Sequence, residues 1–134
     1  MNNPQVVKTH TVKICGRSFD LAFPLAAVLK MENSIEGFNF NEIDKLVSKP
    51  GSMLKILYIL AQCGEALAGR EMDVDEEWFG MHIPANMRKM ISLQVTIMET
   101  LSDGMSMETE EDEENSREVD VILQEIQKKS EKTV

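Results

Sequence analysis

The chain has 134 residues, 43% of them hydrophobic and 28% charged, with a net charge of −9; that is the length of one domain with enough apolar matter for a core. Aromatic content is 5%, with one Trp and one Tyr, which argues against an aromatic-rich two-sheet β fold and predicts an aliphatic core. Two cysteines, Cys15 and Cys63, build neither a disulfide framework nor a zinc site, no run reaches the ~18 apolar residues of a membrane span, and the polar start Met1-Asn2-Asn3-Pro4-Gln5 is no signal peptide, so the expected location is the cytoplasm.

The first predicted element is a hairpin. Thr11-Val12-Lys13-Ile14-Cys15 and Ser18-Phe19-Asp20-Leu21 alternate polar and apolar residues. Gly16-Arg17 between them suits a two-residue type II′ turn. That turn pairs Ile14 with Phe19 and Val12 with Leu21 on one face, and Lys13 with Asp20 on the other.

Pro24 suits the start of a helix, on which Leu25, Val28, Leu29, Glu32 and Ile35 show helical spacing before Gly37 ends it. Asn41 is placed to cap a second, short helix that buries Ile43, Leu46 and Val47. Pro50-Gly51 breaks that helix, and Ser52 is read as the cap of a third. Residues 53–61 are apolar except for Lys55, which predicts a central helix surrounded by the others; Gly64 and Gly69 weaken its far end. Asp73 and Glu76 have the spacing of a capping box, leading a short helix that carries Trp78, Phe79 and Met81. Pro84 opens the last body helix, where Met87, Met90, Ile91, Val95, Met98 and Leu101 form one stripe at steps of three and four. Asp103-Gly104 is expected to stop it.

The predicted fold is therefore mainly α (α+β): a short N-terminal β-hairpin and a compact helical bundle over residues 1–102. A flexible acidic linker follows at 103–118, then an amphipathic helix or tail at 119–134, with Val119, Ile122, Leu123 and Ile126 as its apolar line. Charge follows this division. Residues 1–102 carry −2 and residues 103–118 carry −7, while 119–134 balance. The run Glu110–Glu114 reads as a solvated connector. A phosphate-backbone binder needs a basic stripe; Arg88-Lys89 is only an adjacent pair, so no nucleic-acid partner is expected.

Catalytic signatures are missing. His10 and His82 have no ligand partners at metal spacing. Asp73-x-Asp75-x-Glu77 begins like a calcium loop, but Trp78 stands where the sharp-turn Gly belongs. Cys15 and Cys63 lack a neighbouring base or cation to activate a thiolate. No phosphate loop, dinucleotide fingerprint or nucleophile elbow is present. The expectation is a protein that is not an enzyme and holds no metal or cofactor. Methionine is unusually common, ten against eleven Leu. It serves either to fill gaps in a core poor in aromatics or to form an adaptable binding surface.

The layout resembles a family, the tail assembly chaperones of long-tailed phages and prophages of low-GC Gram-positive bacteria. The matching stretches are Val12–Leu21 with its Gly turn, Leu25-Ala26-Ala27-Val28-Leu29, the apolar helix Met53–Ala61 and the acidic turn Asp73–Glu77, within residues 10–102. One departure is that the small-residue/Trp pattern frequent in the family's central helix is replaced by Tyr58, and the sole Trp is Trp78. The resemblance implies a non-catalytic protein that coats the helical tape measure protein and keeps it soluble. It is displaced as tail tube protein polymerises, and it self-associates. Met87, Met90 and Met98 are the candidate partner-binding residues, at the edge of a groove for a client helix or a neighbouring copy; the competing reading makes them all core. Two other functions stay open: an acidic DNA mimic that blocks a nucleic-acid enzyme, and a helical adaptor of a bacterial complex.

Overall fold

The structure is a computed structural model that describes residues 8–105. The acidic run Glu110–Glu114 and the apolar line from Val119 to Ile126 lie outside the described residues. The fold is mainly α, opened by a two-stranded antiparallel hairpin, β1 (His10–Ile14) and β2 (Arg17–Leu21).

The hairpin turns one residue earlier than expected. Cys15 and Gly16 form the turn, with φ of 52° and 79°. Two successive left-handed residues define a type I′ turn, whose twist matches that of the strands. Val12 therefore pairs with Phe19, Lys13 with Ser18 and Ile14 with Arg17, not the Ile14–Phe19, Val12–Leu21 and Lys13–Asp20 pairs of a Gly16-Arg17 turn. Moving the turn by one residue slides the partners by two, which preserves the face of every side chain. Val12, Ile14, Phe19 and Leu21 accordingly share one buried face.

That face lies on α3 (Pro50–Leu67). Ile56, Leu57, Leu60 and Ala61 are all fully buried, making α3 the central helix. Pro50 sits inside its first turn rather than before it, where a missing N–H costs nothing. Ser52 caps nothing; its hydroxyl donates to the Leu46 carbonyl (2.7 Å) and ties α3 to the preceding helix. Gly64 is a contact point, not merely a weak position. A Cβ there would lie 2.0 Å from the Asp20 carbonyl oxygen, so only glycine lets β2 reach the helix backbone. Around it, the Ala22 N–H donates to the Leu60 carbonyl (3.1 Å) and the Asp20 N–H donates to the Glu65 carboxylate (2.8 Å).

The other helices wrap this unit. α1 (Leu25–Ser34) buries Ala27 and Met31 and leaves Leu25 and Leu29 exposed, so its inner face is rotated from the expected Leu25–Leu29 line. A single 3-10 turn (Phe40–Glu42) leads into α2 (Ile43–Val47), which buries Ile43 and Val47. The capping side chain is Asn39, accepting from the Asn41 N–H (3.0 Å), not Asn41. α4 (Glu76–His82) is capped by Asp75, which accepts from the Trp78 N–H (2.8 Å); the expected Asp73 cap pairs instead with Arg17. Phe79 on α4 is fully buried, with ring centroids 5.0 Å from Phe19, 5.3 Å from Tyr58 and 5.9 Å from Trp78. The core is thus not purely aliphatic, since four of the few aromatics gather at one end of it.

α5 (Met87–Met105) starts after Asn86, whose side chain accepts from the Lys89 N–H (2.8 Å). It continues through Asp103 and Gly104 instead of stopping there. Tertiary contact accounts for this: Asp103 is held by His10, and a Cβ on Gly104 would come within 2.7 Å of the Phe23 Cβ. No helix among the described residues is long and apolar enough to cross a membrane.

Candidate functional site, the outer face of α5

α5 packs against β1, α2 and α3 through Leu93, Ile97 and Leu101, which are 1% exposed or less. Thr100 is buried with them, its hydroxyl donating to the Thr96 carbonyl (2.8 Å). Leu93 and Ile97 were not in the stripe expected from the sequence, and most of that stripe lies elsewhere. At roughly 100° per residue, Met87, Ile91 and Val95 form a second apolar line about a third of a turn from the buried one. They are 75%, 51% and 52% exposed. The helix therefore carries two apolar faces, one closed by the core and one open.

The three candidate methionines divide between these faces. Met87 stands on the open line. Met90 is half-buried and packs against the core cluster. Met98 is half-buried as well, touches the core cluster and lines a groove of about 680 Å³ beside Ile91, Gln94 and Val95. Met105, exposed at the far end, extends the open line. The sequence missed Ile91 and Val95 as exposed residues, though their spacing from Met87 was visible. No signal in the sequence said which of two equally periodic lines faced inward.

Charged groups close one end of the groove. His10 donates from Nε2 to the Asp103 carboxylate (2.6 Å), and the Lys8 ammonium lies 3.6 Å from it. The His10 hydrogen bond, then the Lys8 charge, hold the Asp103 carboxyl below the usual carboxylate range. This contact joins the start of β1 to the last turn of α5.

A second charged cluster locks the hairpin to α3. Glu65 is buried and accepts from Arg70 Nε (2.9 Å) and Nη2 (3.0 Å) as well as from the Asp20 N–H. The same guanidinium reaches the Asp20 carboxylate (2.7 Å). The Arg70 fork is the main cause of a Glu65 pKa lowered from its ordinary value. One guanidinium bridges two carboxylates, on β2 and α3, which is the arrangement of a structural clamp.

Elsewhere, His82 stacks on Trp78 (centroids 4.2 Å apart) and donates from Nδ1 to the Trp78 carbonyl (2.8 Å). Cys63 is buried on α3, and burial pushes its thiol pKa up. Cys15 is exposed in the hairpin turn. Among the described residues, no three His, Cys, Asp or Glu side chains gather as a metal site would require. What the α5 face offers is apolar contact along a rigid helix, the chemistry of helix-to-helix recognition. Comparison with protein-family models, curated proteins and solved structures finds no match to this chain.

Proposed function

We propose that this protein is a non-catalytic tail assembly chaperone. It binds the tape measure protein in the host bacterial cytoplasm and keeps it soluble until tail tube protein polymerises. The observation that carries this reading is the open line Met87, Ile91 and Val95 on a helix that already buries a separate face. Large apolar side chains aligned on an exposed helix mark a contact surface, and an unbranched methionine adapts to varied neighbours. The layout of hairpin, apolar central helix and acidic capped turn supports the same reading by its resemblance to that family. A tape measure protein presents apolar helical stripes before assembly, and the groove beside Met98 matches a helix in kind. The protein acts without cofactor, nucleic acid or membrane.

Co-expression with the tape measure protein tests the proposal. Met87→Glu combined with Ile91→Glu places two carboxylates on the open line and leaves Leu93 and Ile97 in the core. The double variant is expected to stay folded and to lose its hold on the client, which then sediments as aggregate. A folded double variant that still keeps the client soluble overturns the proposal.

A further inference from the structure

The open line of α5 runs from Met87 through Ile91 and Val95 to Met105, with half-buried Met98 beside it, about 27 Å at 1.5 Å per residue. One charged edge borders it. Arg88 and Glu99 are both exposed and lie within about 20° of each other around the helix, at roughly 100° per residue. Neither forms an ion pair with another described residue. The positive charge stands at the N-terminal end of the edge and the negative charge at the C-terminal end. This order is self-complementary in one orientation only. A second α5 laid antiparallel brings Arg88 of each copy to Glu99 of the other, twice by symmetry, and opposes the two helix dipoles. In a parallel copy the two charged edges fall on opposite sides of the seam, and no Arg88–Glu99 pair forms across it.

We infer that two copies of this chain pair through their α5 helices, antiparallel, about a two-fold axis close to Val95. The apolar line then closes on itself, with Met87 of one copy set against the Met98 stretch of the other. This inference rests on α5 alone and stands apart from the client reading. If both hold, client and second copy compete for one face.

Sedimentation velocity of the full chain at low salt, with no client present, tests it. The expected result is a reversible dimer. Arg88→Glu alone or Glu99→Arg alone weakens it by about tenfold, since each turns two attractions into two repulsions. The double exchange Arg88→Glu/Glu99→Arg restores it. Orientation is read by cross-linking in a Cys15→Ser background. Val95→Cys lies near the axis and oxidises to a disulfide dimer. Met87→Cys does not, because the two sites stand about 20 Å apart along the helices. A chain that stays monomeric up to its solubility limit overturns the inference. So does a dimer indifferent to both single reversals, or one that cross-links at Met87→Cys and not at Val95→Cys.

Discussion

α3 and α5 are nearly equal in length, eighteen and nineteen residues, yet they handle apolar surface in opposite ways. α3 is wrapped: the hairpin lies on it, α1, α2, α4 and α5 all touch it, and its apolar residues mostly face neighbours. α5 is attached along one line and shows another to solvent. Both helices carry apolar residues in helical register, so periodicity alone does not separate a stabilising face from an open one. What separates them is whether a neighbouring element covers the line.

The contrast can be broken most severely at Gly64. Gly64→Ala gains helix propensity but drives a methyl group into the Asp20 carbonyl. We expect a loss on the order of 4 kcal/mol in urea unfolding, because backbone must move away from backbone. A variant as stable as the parent would show that the hairpin does not rest on α3 there.

A sharper comparison uses one residue type on one helix. Ile97→Ala removes a fully buried side chain and should cost about 3 kcal/mol. Ile91→Ala trims the open line and should change stability by no more than about 0.5 kcal/mol. Equal costs would mean that α5 has a single face.

A smaller loss than at Gly64 or Ile97 is expected at the clamp between hairpin and α3. Glu65→Ala leaves the Asp20 N–H without its acceptor and should cost about 2 kcal/mol near neutral pH. The sign of the pH dependence follows from the lowered pKa of Glu65. A depressed carboxyl contributes stability above its unfolded value, near pH 4.3, and loses it as pH falls toward its folded value. Parent and variant should therefore converge on acidification below about pH 4. A gap that stays constant down to acid pH would remove Glu65 from the clamp.

Much of the fold was legible because alternation and helical spacing report it directly. The hairpin face, the central helix and the order of elements all follow from the residues. The errors share physical causes. Face agreement cannot detect a two-residue slide, so alternation fits a Gly16-Arg17 turn as well as the observed one, in which Cys15 supplies the other left-handed residue. Capping side chains compete at close range, and tertiary contacts decide among them: Asp73 is taken by Arg17, which leaves α4 to Asp75. For α5, Met87–Ile91–Val95 and Leu93–Ile97–Leu101 are equally regular. Only the positions of β1, α2 and α3 determine which line is inside. The candidate methionines were thus drawn from both faces at once, Met87 from the open line and Met90 from the core side, with Met98 between.

The seam at Gly64 also bears on how the chain folds. The Asp20 N–H and the Glu65 carboxylate that accepts it are 45 residues apart in sequence. β2 meets α3 through peptide groups at this point, with no side chain between them to allow a looser approach. The two strands are too few to persist alone, and their docking surface exists only once α3 is helical. Hairpin and central helix therefore form one cooperative unit. The amides of Asp20 and Ala22, although in or next to the two-stranded hairpin, should exchange with solvent as slowly as the core of α3.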